Sequence, residues 1–293
     1  MNNSDALITF IVPCKGRLAQ LKMSLPRLVA QQNSSVTVVD SDCPDGTASW
    51  VETNFPTVKI VRVNDGGIFN LGKSRNKGFE TASTKWICFI DVDVVLKNNF
   101  AAYLAPLLSE DRYFVFEYNQ EKAGIFGSCI VPRAALNSIG CYDEVFEGYG
   151  GDARDLYYRL ERTGLKKQFV THEFIDFVAQ HADALRSKYY KEKDIRISQS
   201  CNALYRLAKL NLGLLGQDCN QDIERRRVLY EMSRETVKRA LADTDHRAEL
   251  ELDIPIDKSD KSNFNLAQFE RRVTLQVDLS SIINDVSTSR TLP

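Results

Sequence analysis

The chain has 293 residues, 43% hydrophobic, 10% aromatic and 26% charged, so it holds enough apolar side chain for a sizeable core and is too apolar to be largely disordered. Its 38 basic and 39 acidic residues leave a formal charge of −1, so no net field draws the whole chain to nucleic acid.

In chain order, residues 7–13 form an apolar run closed by Pro13, and 36–39 a second one ending at Asp40; both read as buried strands. Between them Leu18, Leu21, Leu25 and Leu28 recur at helical spacing, which gives a strand-helix-strand unit and an α/β class with a sheet flanked by helices. A strand at 58–63, a loop at Asp65-Gly66-Gly67, a helix at 73–81 and a strand at 86–90 continue the pattern. An apolar stretch at 126–131 precedes a turn-rich segment at 139–151 and a helix at 152–163.

Beyond residue 185 the chain turns charged and amphipathic without proline, and 189–215 and 223–241 read as helices. The expected organisation is a domain at 1–185, a helical appendage at 186–250, and a C-terminal extension at 251–293. That extension holds one strand around Val273-Leu275-Val277-Leu279 and a loose terminus. Seven cysteines without a CxxC pair suit a reducing compartment and no structural zinc. Residues 1–5 lack the start of a signal peptide, and no apolar run reaches the roughly 18 residues of a membrane span. The expected location is the cytoplasm, with a peripheral place at the inner face of a membrane as the secondary expectation.

Asp91 and Asp93 lie two apart at the end of an apolar strand, where alternation puts both carboxylates on one side and Val92 on the other. Such a pair suits a hard cation, Mn²⁺ or Mg²⁺, that shares oxygen ligands with a substrate diphosphate. By itself the pair is better read as an acidic turn after a strand, because short acidic motifs are common.

The chain also carries Ile11-Val12-Pro13-Cys14-Lys15-Gly16-Arg17, then Val38-Val39-Asp40-Ser41-Asp42-Cys43-Pro44-Asp45-Gly46-Thr47, then Gly72-Lys73-Ser74-Arg75-Asn76-Lys77-Gly78, before Asp91-Val92-Asp93. In that order and spacing these segments resemble the GT-A-fold glycosyltransferases of family 2 and their galactosyltransferase-like and chondroitin-polymerase-like relatives, over residues 7–185. The resemblance implies a Rossmann-like mixed sheet flanked by helices. It implies that Pro13 and Arg17 line the nucleotide pocket and Asp40 contacts the uracil. Arg75 and Asn76 then lie near the base and pyrophosphate, Asp91 near the ribose and metal, and Asp93 on the metal. Asp40 and Asp45 could instead serve the turn that Pro44 and Gly46 require, and Arg75 could be a surface charge.

Gly127-Ser128 after Phe126 resembles the family's small-residue approach to donor and acceptor. The segment Gly148-Tyr149-Gly150-Gly151-Asp152-Ala153-Arg154-Asp155 resembles the family stretch that supplies the acceptor-side acid and the catalytic base. Asp152 stands where the family has glutamate, and Ala153 where the base aspartate stands. Asp152 is the first candidate for the base and Asp155 the second; both could equally stabilise a helix start. Relatives place a metal-binding histidine near His181, with His172 as the alternative.

The expected activity is therefore a metal-dependent, inverting transfer of a sugar from a nucleotide sugar, UDP-linked, to a hydroxyl of a glycan or lipid-linked glycan. A non-catalytic sugar-nucleotide- or glycan-binding subunit is the alternative that Ala153 motivates. A nucleotidyltransferase ranks lower, because its glycine-rich phosphate loop is absent after the first strand. The basic residues from Arg186 to Arg227 read as a solvated face, with an anionic glycan, a membrane surface or a second copy as weaker partners.

Overall fold

A computed structural model describes residues 6–116, 127–178, 187–214, 222–254 and 271–280. The chain divides into two compact units. One comprises residues up to Gly148 and Asp152–Lys193; the other comprises Tyr149–Gly151 and the chain from Asp194 onward.

The first unit opens with β1 (Ile8–Cys14), α1 (Leu18–Val29), β2 (Ser34–Asp40), α2 (Thr47–Asn54), β3 (Lys59–Arg62), α3 (Leu71–Glu80) and β4 (Trp86–Phe89). It continues through β5 (Val94–Leu96), α4 (Phe100–Leu104), β6 (Arg112–Phe116), β7 (Cys129–Pro132), α5 (Arg133–Ile139), α6 (Asp152–Arg162), β8 (Lys166–Val170) and β9 (Ile175–Phe177). Seven strands form one sheet in the order β3-β2-β1-β4-β7-β6-β8. β1 is parallel to β2 and β4, and β6 to β8, whereas β7 runs antiparallel to both β4 and β6. The sheet is mixed, as a GT-A fold requires.

Both faces of β1 are covered, which is why its run is continuously apolar rather than alternating. Phe10, Val12 and Cys14 pack with Leu21, Leu25 and Leu28 of α1, while Ile11 belongs to a second cluster with Leu136, Leu156 and Leu160 of α5 and α6. The result is a three-layer α/β/α body. Gly78 lets α3 lie close on the sheet: a Cβ there would stand 2.4 Å from Ile11 Cγ2 and 2.9 Å from Val39 Cγ2.

The second unit contains α7 (Ile195–Leu214), α8 (Ile223–Ala242) and an antiparallel pair, β10 (Arg247–Ile254) with β11 (Arg271–Asp278). Tyr205 of α7 and Tyr230 of α8 meet edge to face at 5.4 Å. β10 runs across residue 250, where the helical appendage was expected to give way to the C-terminal extension; its alternating Glu249-Leu250-Glu251-Leu252 buries the leucines and exposes the acids. On α8 the pairs Arg227–Glu224, Arg234–Glu231 and Lys238–Glu235 neutralise basic residues along the helix, as a solvated face does. Among the described residues no helix is long and apolar enough to cross a membrane.

Candidate active site

The parallel strands β1, β2 and β4 end on the same edge of the sheet, the edge where open α/β sheets bind ligands. β1 ends with Pro13, buried and in register with Val39, and then Cys14 opposite Asp40. Asp40 is buried, and its carboxylate accepts the Cys43 N–H on Oδ1 and the Ala48 N–H on Oδ2, both at 2.7 Å. It therefore braces the turn into α2, and each oxygen keeps a further lone pair. Asp45 accepts the Leu18 N–H at 2.8 Å and so caps α1, whose own N-cap residue, Arg17, provides no side-chain cap.

β4 stops at Phe89, and Asp91-Val92-Asp93 occupies a turn closed by the Val94 N–H on the Asp91 carbonyl at 3.0 Å. This corrects the expectation of strand alternation. Val92 is pulled into the core and the Ser24 hydroxyl holds its carbonyl at 2.7 Å, which leaves the flanking carboxylates together for a different reason. The Asp91 N–H donates to the buried Ser128 hydroxyl at 3.1 Å.

Arg75 is the centre of the site. Its guanidinium is wholly buried, donates to Asp91 Oδ1 at 2.8 Å and to Asp152 Oδ2 at 3.1 Å, and lies over the Tyr142 ring with Cζ 4.8 Å from the centroid. The surface-charge alternative for Arg75 is thereby removed. Burial opposes its charge, but Tyr142, Asp91 and Asp152 outweigh that and hold its pKa above the ordinary value. Burial also raises the Asp91 pKa; Arg75 works against this, while the neighbouring Asp93 and Asp152 charges add to it. Three carboxylates thus crowd one place. Gly127 leaves room for them, since a Cβ would come 3.1 Å from Arg75 Nη2 and 3.2 Å from Asp91 Oδ2.

Arg17 donates to Asp93 Oδ2 at 3.0 Å while remaining partly exposed. Asp91 Oδ2 and Asp93 Oδ1 then have no hydrogen-bond partner among the described residues; the Asp91 side chain is 26% exposed and that of Asp93 10%. Among the described residues no cluster of three or more His, Cys, Asp or Glu side chains is placed to hold a metal. Two carboxylate oxygens nonetheless fit Mn²⁺ or Mg²⁺, which commonly completes its shell with substrate phosphates and water. His181 lies outside the described residues.

Two expected residues have other surroundings. Asn76 donates to the Tyr142 carbonyl and to Glu144 at 2.9 Å each and accepts the Tyr142 N–H at 3.0 Å, so it clips the 142–144 segment. Asp155 is buried and accepts from Arg159 at 2.8 Å, whose guanidinium also reaches the Ile139 carbonyl; this is a packing pair within α6. Ala153 belongs to the second core cluster, so position 153 serves packing. Asp152 is the α6 carboxylate that joins Arg75. His172 stands in a short 3₁₀ turn before β9.

Sequence reasoning missed Tyr142 under Arg75 and the buried Lys15–Asp65 pair at 2.9 Å, above which Tyr189 packs against Gly16. Gly16 has φ +63°, and a Cβ there would stand 2.2 Å from the Tyr189 ring. A lysine directly after a strand end was the available signal.

Residues 9–126 match the family described as "Glycosyl transferase family 2". Among solved structures, the chain is similar to the mannosyltransferase PcManGT from Pyrobaculum calidifontis, solved in complex with GDP-Man and Mn²⁺, with a TM-score of 0.54 and 14% identity over 82% of this chain and 77% of that one. It is also similar to S. aureus TarS 1-349, with a TM-score of 0.52 and 15% identity over 78% of this chain and 91% of that one. At such identities the structures speak for the fold, and the family match covers β1 through β6. Over residues 9–126 the chain is therefore similar to the family 2 glycosyltransferases, and its mixed seven-stranded sheet has the GT-A fold of these solved structures.

Proposed function

We propose that the chain transfers a sugar from a nucleotide-sugar donor, UDP-linked, to a hydroxyl of a glycan or lipid-linked glycan, with inversion and with Mn²⁺ or Mg²⁺. The observation that carries this reading is the Asp91–Arg75–Asp152 bridge beside the Arg17–Asp93 pair. It links the strand-end carboxylates to the helix that would face the acceptor.

Asp91 Oδ2 and Asp93 Oδ1 would hold the cation, which when bound neutralises the diphosphate as the sugar leaves. Arg17, anchored on Asp93 and partly open to solvent, adds a positive charge where the leaving oxygens develop negative charge. Pro13 and the Asp40 turn form the floor on which the base sits. Arg75 fixes Oδ2 of Asp152 and so aims that carboxylate. Asp152 then takes the proton from the acceptor hydroxyl, the hydroxyl oxygen bonds to the anomeric carbon, and the bond to the diphosphate oxygen breaks. Attack from the face opposite the leaving group inverts the anomeric centre.

The non-catalytic reading has one observation in its favour: the buried Ala153 contributes no carboxylate. Nucleotide release from a panel of UDP- and GDP-sugars, with Mn²⁺ and an acceptor glycan, separates the two. Release dependent on both metal and acceptor supports transfer. Tight nucleotide binding with no release from any pair supports the binding subunit.

A further inference from the structure

Two thiols that the transfer chemistry does not use stand beside the same strand ends. Cys14 closes β1 and is buried; Cys43 lies in the turn after Asp40 and is partly exposed. Their sulfurs are 4.0 Å apart. The Gly16 N–H donates to Cys43 Sγ at 2.9 Å, and the Thr47 hydroxyl lies 3.0 Å from the same sulfur and 3.0 Å from Asp45 Oδ1, so its one proton serves either. Asp45 Oδ1 itself accepts from the Cys43 thiol at 2.6 Å. Asp40, the other nearby carboxylate, is turned onto backbone N–H groups.

We propose that Cys43 and Cys14 form an oxidative modification site, in which a hydroperoxide oxidises Cys43 and Cys14 resolves it to a disulfide. The Cys43 thiolate attacks one peroxide oxygen and the O–O bond breaks. The remaining oxygen leaves with a proton as water or alcohol, and the sulfur, oxidised by two electrons, becomes a sulfenic acid. Cys14 then attacks Cys43 Sγ: the S–S bond forms, the S–O bond breaks, and hydroxide leaves with the Cys14 proton as water. The sulfurs close from 4.0 Å to about 2.0 Å, a gap that side-chain rotation and a small turn shift can span.

The division of roles follows from the surroundings. The hydrogen bond from Cys14, with those of Thr47 and Gly16, lowers the Cys43 pKa against burial and Asp45. The Cys14 pKa is raised by that same hydrogen bond and by burial, so Cys14 keeps its proton until it attacks. Burial pushes Cys129 up to about 11 and Cys141 up to about 12, and raises Cys88 as well, which leaves those thiols inert.

The test exposes the full chain to hydrogen peroxide, blocks remaining thiols with N-ethylmaleimide, and maps non-reduced peptides by mass. The expected product is the Cys14 peptide joined to the Cys43 peptide, lighter by two hydrogens than their sum, absent after dithiothreitol and absent from Cys43→Ser. Recovery of both cysteines as maleimide adducts after peroxide treatment would overturn the proposal. So would Cys43 sulfinate with Cys14 still free. These outcomes stand whether or not the chain transfers sugar.

Discussion

Arg75 joins residues that are distant in sequence, Asp91 and Asp152, and its value lies in leaving neither carboxylate alone. A buried ion pair broken on one side costs roughly 3–5 kcal/mol, and the solvent reaching Asp91 and Asp152 places this site at the lower end. Arg75→Met is expected to lose about 3 kcal/mol, read as a lowered urea midpoint with unchanged slope. An unchanged midpoint would mean that the bridge is not formed in solution. The family resemblance implied that Arg75 and Asp91 lie around one nucleotide but not that they touch, because no local pattern encodes a bridge across so many intervening residues. Asp40 carried two readings, a contact to the base and, as the alternative, a turn acceptor before Pro44 and Gly46; its backbone bonds supply the turn role.

At the scale of elements, α1 depends on a cap supplied from outside itself. Asp45→Ala should remove the bond to the Leu18 N–H and lower stability by about 1 kcal/mol, measured by chemical denaturation, whereas Asp45→Asn should keep most of it. In α3 the close approach of Gly78 to Ile11 and Val39 opposes the usual helical gain of alanine. Gly78→Ala removes up to about 1 kcal/mol of propensity penalty but overpacks stiff branched methyls at about 1–3 kcal/mol, so a net loss of thermal stability is expected. A raised melting temperature would show that the sheet gives way. The strands β1, β2 and β4 were readable because burial on both faces makes them plain apolar runs. β10 was not, because its acids and leucines alternate inside a charged region that reads as helix, and β5 and β9, three residues each, are too short to carry a period.

For the whole molecule, the α/β class followed from strand-helix alternation and the mixed sheet only from the family resemblance, and neither says that β7 is the strand that runs antiparallel. The residues at the ends of β1, β2 and β4 were legible because proline and aspartate mark those strand ends. The start of α6 was less so, since Asp152, Ala153 and Asp155 are close in sequence yet separate into a bridge partner, a core residue and a helix-internal ion pair. The measurement that bears most directly on the central claim compares wild type with Asp152→Asn and Asp93→Asn, reading nucleotide binding and nucleotide release separately. Transfer chemistry predicts that Asp152→Asn keeps nucleotide binding but releases about 10²–10⁴-fold more slowly, while Asp93→Asn weakens metal-dependent binding as well. Undiminished release by Asp152→Asn, with wild type active, would contradict the assignment of Asp152 as the proton acceptor held by Arg75.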